Sequence, residues 1–138
     1  MGQVRDIMEK NVITIEDDKS ALDVSILLKE KEISFVVITK DGKPIGLVTE
    51  RDIVRKIAAE DKKPSKIRIQ DLMSKNFRWV KPEEDIEMAI QKMLNNNIRR
   101  LLVLDKDRLA GVITQTDLAS FLRSKLLING TVEKLESD

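Results

Sequence analysis

The chain has 138 residues, with 25 basic and 24 acidic side chains, a net charge of +1, and neither cysteine nor histidine. Those two zeros exclude disulfides, Cys- or His-ligated metals, thiol nucleophiles, the Ser–His–Asp triad and the ordinary near-neutral histidine switch. Balanced charge and 3% aromatic residues argue against nucleic-acid binding, while 41% apolar residues fit a chain that buries a core.

The first residues, Met1-Gly2-Gln3-Val4-Arg5-Asp6, hold no hydrophobic signal core. Asp6 stands where a myristoylation signal after Gly2 wants Ser or Thr. From Val4 to Met8 the pattern is a short amphipathic turn, and a short strand follows near Val12–Ile15. Ala21, Val24, Ser25 and Leu28 then recur at the spacing of a helix packed on one side. The longest apolar stretch, Ile33 to Ile38, is too short to span a bilayer. Its core, Phe35-Val36-Val37-Ile38, reads as a strand buried on both faces. Lys40-Asp41-Gly42-Lys43 is a hairpin turn, with Asp-Gly suited to positive φ. Ile45 to Val48 is the return strand, and a last helix starts after Thr49.

The basic stretch Lys62, Lys63, Lys66, Arg68 lies beside Glu60 and Asp61 and reads as a solvated linker. Beyond it the whole order recurs. Shifted by 65 residues, Val4 to Asn11 falls on Ile69 to Asn76, Ile33 on Ile98, and Gly46-Leu47-Val48-Thr49-Glu50-Arg51-Asp52 on Gly111-Val112-Ile113-Thr114-Gln115-Thr116-Asp117. The second copy predicts a turn at Ile69 to Met73, a strand at Phe77–Val80, and a helix with Ile86, Ala89, Ile90 and Met93 on one face. Strands Leu101–Leu104 and Ala110–Ile113 follow, joined by Asp105-Lys106-Asp107-Arg108, and a helix opens after Thr114. The chain thus divides into residues 1–62 and 63–128, with a polar tail at 129–138. The expected fold is α+β: two strand–helix–strand–strand–helix repeats, packed sheet to sheet about a pseudo-twofold axis as one inseparable module.

Little in the chain supports catalysis. Its glycines, at positions 2, 42, 46, 111 and 130, make neither a Walker A loop nor a dinucleotide fingerprint. Paired carboxylates such as Glu83–Glu84 read as surface charge. The sharpest signal is the duplicated Gly-apolar-apolar-Thr-x-x-Asp element. One reading is a helix cap, with the Thr hydroxyl accepting a backbone N–H and the Asp at the positive end of the helix dipole. The other uses the same atoms for a ligand: N–H groups and a hydroxyl for phosphate, a carboxylate for ribose hydroxyls. The local pattern leaves both open.

The Asp-apolar-Met openings, the two Gly-apolar-apolar-Thr-x-x-Asp closes and the duplicated order resemble the cystathionine-β-synthase (CBS) domain over about residues 4–125. Two such domains in tandem form a Bateman module. The resemblance implies a stand-alone, non-catalytic regulatory module. With no targeting segment visible, the expected location is the cytoplasm, and the lack of Cys and His predicts no metal and no cofactor. It implies an adenosine nucleotide (AMP, ADP or ATP) bound in the cleft between the repeats, a homodimer, and an unidentified partner protein that reads the bound state. The family also includes S-adenosylmethionine and dinucleotide sensors, and a module that has lost its ligand would be purely structural or protein-binding.

Carried over by position, the family's first site would use Thr49 and Asp52, with Val12 and Ile13 near the base, Arg99 and Arg100 from the other repeat on phosphate, and Arg51 as a further basic candidate. The second would use Thr114 and Asp117, with Phe77 and Arg78 near the base. There the counterpart of the arginines is Ser34–Phe35, which carries no charge, and Thr116 replaces Arg51.

Overall fold

The structure is a computed structural model that describes residues 2–128; the polar tail at 129–138 lies outside the described residues. Each repeat holds one three-stranded sheet, ordered β1-β2-β3 in the first and β4-β5-β6 in the second. The strands are β1 (Thr14–Glu16), β2 (Phe35–Lys40), β3 (Lys43–Thr49), β4 (Trp79–Val80), β5 (Arg100–Asp105) and β6 (Arg108–Thr114). The fold is α+β with two repeats, as the sequence predicts. β1 runs parallel to β2, with Thr14 opposite Val37, and β4 runs parallel to β5, with Trp79 opposite Leu102. Each parallel pair is connected by a helix, because parallel strands need a long crossover.

Those crossover helices are α1 (Ala21–Lys31) and α4 (Ile86–Asn96). Their buried positions are Ala21, Val24 and Leu28 in α1, and Ile86, Ala89 and Met93 in α4. Ser25, on the same predicted stripe, is half-buried and returns its hydroxyl to the Ala21 carbonyl at 2.8 Å. Ser20 starts α1: its hydroxyl accepts from the Asp23 amide, while the Asp23 carboxylate accepts from the Ser20 amide at 2.9 Å. The backbone hydrogen bond from Ser20, followed by that from its hydroxyl, lowers the Asp23 pKa. The stabilisation from this lowered pKa is therefore complete above the unfolded carboxylate range and is lost as pH falls through the folded value. Both helices end on a left-handed residue, Glu32 at φ 53° and Asn97 at φ 49°.

The β2–β3 turn has Asp41 at φ 52° and Gly42 at φ 79°, the geometry its Asp-Gly pair predicts. Its counterpart holds Lys106 and Asp107 at φ 51° and 68° without a glycine. Both faces of β2 are buried: Val36 and Ile38 enter the core of the repeat, and Val37 and Thr39 are buried on the opposite face.

The short segments that open each sequence copy pack into the other copy's core. One compact unit gathers residues 2–10, 78–106 and 110–128, and the other gathers residues 11–77 and 107–109. In the first unit, Val4 is fully buried among Val80, Ile86, Leu101 and Ile113. Its amide donates to the Glu84 carbonyl at 2.8 Å, and Glu9 bridges to Val112. In the second, the short helix α3 (Ile69–Leu72) buries Ile69 and Leu72 among Val24, Leu28, Val36 and Val48. There Ser74 bridges to Leu47, and the Ala21 amide donates to the Ile67 carbonyl at 2.8 Å.

β3 leads directly into α2 (Glu50–Ile53), which widens into a π turn over Val54–Ala58. The Ala59 amide reaches the Val54 carbonyl at 2.8 Å. β6 leads instead into a regular helix, α5 (Gln115–Ile128).

Candidate functional site

In the first repeat, one end of the sheet collects most of the residues singled out above. The Val37 amide donates to the Ile13 carbonyl at 3.1 Å, Phe35 lies opposite Thr49, and the Glu50 amide donates to the Ser34 carbonyl at 2.9 Å. Ile13, Ser34, Phe35, Thr49 and the first turn of α2, with Arg51 and Asp52, therefore come together. Val12 is half-buried beside Ile13, whose side chain packs against the core. Arg51 is exposed.

The second repeat repeats the arrangement. The Leu102 amide donates to the Arg78 carbonyl, and the Gln115 amide to the Arg99 carbonyl, both at 3.0 Å. Thr114 ends β6, and Thr116 and Asp117 lie in the first turn of α5. Arg100 opens β5 half-buried, Arg99 is exposed just before it, and both stand at the Thr114–Asp117 end of their own repeat. Arg78 bonds the Asn96 amide oxygen at 3.3 Å. Phe77 is half-buried immediately before Arg78.

Both Thr-x-x-Asp elements form reciprocal caps. The Thr49 amide and hydroxyl donate to Asp52 Oδ2 at 2.9 and 3.2 Å, and the Asp52 amide donates to Thr49 Oγ1 at 3.2 Å. At Thr114 and Asp117 the same three bonds measure 2.8, 2.9 and 3.2 Å. The cap thus fixes each carboxylate through one oxygen. The second oxygen, Oδ1, takes no part in it.

The two ends differ at that second oxygen. Lys56 Nζ lies 3.4 Å from Asp52 Oδ1 and donates to the Leu72 carbonyl at 2.9 Å. In the second repeat the equivalent position is Phe121, which packs against the core. Lys56 was not among the residues the motif singles out; its i,i+4 spacing from Asp52 was the available signal.

Among the described residues no group of three or more acidic side chains could hold a metal ion, and no helix is long and apolar enough to cross a membrane. The family model for the CBS domain matches residues 4–59 and again residues 69–124. The chain belongs to the CBS-domain family. Among similar proteins is an uncharacterised protein of Methanopyrus kandleri, 30% identical over 117 residues, or 83% of this chain and 60% of the relative. A homoserine O-acetyltransferase of Methanohalobium evestigatum is 34% identical over 121 residues, covering 86% of this chain but 24% of the enzyme. The chain therefore spans less than two-thirds of both relatives. A solved CBS domain pair in complex with 5′-methylthioadenosine and S-adenosyl-L-methionine is 28% identical, with a TM-score of 0.80 over 91% of this chain and 98% of that one.

Proposed function

We propose that this CBS pair is a non-catalytic regulatory module that binds adenosine derivatives at its Thr49–Asp52 and Thr114–Asp117 ends, and that a partner protein reads the bound state. The observation that carries the reading is the duplicated carboxylate, fixed through Oδ2 by its threonine with Oδ1 outside the cap. A ribose diol needs an oriented acceptor of that kind, and an acceptor already held in place costs less to order on binding. Both molecules in the solved neighbour carry adenosine with an intact ribose diol, which favours recognition of the nucleoside part. Arg99 and Arg100 favour ligands with phosphate, because a planar guanidinium suits phosphate oxygens.

The homoserine O-acetyltransferase relative, matched over a quarter of its length, favours an enzyme as the regulated partner. Self-association as a homodimer belongs to the same reading, using exposed apolar positions of α5 such as Leu122 and Leu126. The test is a thermal-shift screen of AMP, ADP, ATP, S-adenosylmethionine, 5′-methylthioadenosine and NAD. A ligand that binds only the native state adds about 2.7 kcal/mol of stability at a hundredfold excess over its Kd. At least one adenosine derivative should raise the melting temperature; no rise with any of them refutes the reading.

A further inference from the structure

We infer that Lys56 is an internal competitor for the ribose diol at Asp52, which sets the affinity of the Thr49–Asp52 end apart from that of Thr114–Asp117. The inference rests on the adenosine reading above and adds a residue to it.

Asp52 does not need Lys56 to hold its orientation. Thr49 already fixes Oδ2 through its amide and hydroxyl, at 2.9 and 3.2 Å. Asp117 is fixed equally well by Thr114, at 2.8 and 2.9 Å, with a phenylalanine at the lysine's position. What Lys56 contributes is a cation 3.4 Å from Oδ1, the oxygen the cap leaves over. The Asp52 side chain is 18% exposed, and the ammonium stands beside the oxygen that the diol would take.

A neutral diol that takes Oδ1 competes with the lysine for that oxygen and weakens its ion pair or displaces it. The displaced ammonium keeps its 2.9 Å bond to the Leu72 carbonyl, so it has a resting place and the displacement is reversible. A partly exposed i,i+4 ion pair is weak, so the handicap is about twofold in affinity. At the other end the position four residues after the aspartate is Phe121, which packs against the core, so the i,i+4 cation has no counterpart there.

The test is calorimetric titration of neutral adenosine into the full chain carrying Asp117→Asn, with and without Lys56→Met, at low and high salt. Removal of the lysine should tighten adenosine about twofold at low salt. The gain should shrink towards none near 1 M salt, where the Debye length is about 3 Å. Lys56→Arg should keep the handicap, and 2′,3′-dideoxyadenosine, which lacks the diol, should show no gain. Adenosine that binds equally or more weakly after Lys56→Met overturns the competition while leaving the adenosine reading intact. An equal gain for adenosine and dideoxyadenosine also overturns it, because the lysine would then act on the site's shape or charge rather than on the diol. Absence of adenosine binding to either form overturns both.

Discussion

Gly46 lies so close to Met73 that a Cβ on the glycine would sit 2.8 Å from the methionine sulfur, and 2.9 Å from the Ser74 carbonyl oxygen. Gly111 repeats the relationship with Met8 and Glu9, at 2.9 and 2.7 Å. Neither glycine has a left-handed φ. Each is there because a strand and an exchanged segment approach too closely for a side chain. Gly46→Ala and Gly111→Ala should each destabilise the chain by about 1–3 kcal/mol, the usual cost of overpacking. Denaturant midpoints measure this. Unchanged midpoints would show that the Met73 and Met8 segments are not seated against β3 and β6.

The exchange also decides which fragment holds together. A fragment of residues 1–62 lacks Ile69 and Leu72, both fully buried in its own repeat's core. Full burial of such side chains contributes roughly 1.5–3 kcal/mol each, a large share of the ~5–15 kcal/mol that stabilises a domain. A fragment of residues 11–77 retains them. In urea, followed by circular dichroism, the 11–77 fragment should unfold at clearly higher denaturant. Equal midpoints, or the reverse order, would argue against the exchange.

Much of this arrangement was legible because its signals are local. The Ala21–Val24–Leu28 and Ile86–Ala89–Met93 stripes follow helical spacing, and Asp41-Gly42 is a turn by its own chemistry. The Thr-x-x-Asp boxes close within one turn of chain. The exchange was not legible: the apolar faces at Val4 and Ile69 say that each segment is buried, but not in which core. β1 and β4 are shorter than the apolar runs suggest, because Ile13 and Arg78 bond to β2 and β5 through single carbonyls outside the strands. The π turn at Val54–Ala58 leaves no mark on a helical pattern. Lys56 lies at i,i+4 from Asp52, but the repeat carries no signal there, because the copies differ at that position, Lys56 against Phe121.

The β5–β6 turn places two side chains at positive φ where its counterpart places Asp41 and a glycine, Gly42. Lys106 and Asp107 both hold positive φ, a region that favours Asn and Gly. Replacing Lys106 with Asn and Asp107 with Gly should stabilise the chain by about 1 kcal/mol, read as a melting point higher by about 3 °C. A lower melting point would mean that the two side chains contribute more than their backbone costs.

The arginine pair separates charge from nucleoside recognition. Arg99→Ala with Arg100→Ala should weaken AMP about tenfold or more, since hydrogen bonds to charged groups contribute roughly 1.5–3 kcal/mol. Neutral adenosine should be nearly unaffected. Parallel titrations of the two ligands check this. Equal losses would mean that the arginines shape the site rather than meet a phosphate.

The most direct test of the account is the adenosine affinity of the Asp52→Asn, Asp117→Asn double variant, measured by calorimetry beside the melting temperature of the ligand-free protein. Asp52 and Asp117 stand one turn inside the helix from the threonine caps. An asparagine carbonyl there still accepts from the Thr amide and hydroxyl, losing only the helix-dipole contribution of about 0.3–1 kcal/mol each, so the ligand-free protein should melt within a few degrees of the original. The ribose loses its charged acceptor, and adenosine affinity should fall about tenfold or more, which is ~1.4 kcal/mol. Unchanged adenosine affinity in the double variant would contradict the account, leaving Asp52 and Asp117 as helix caps alone.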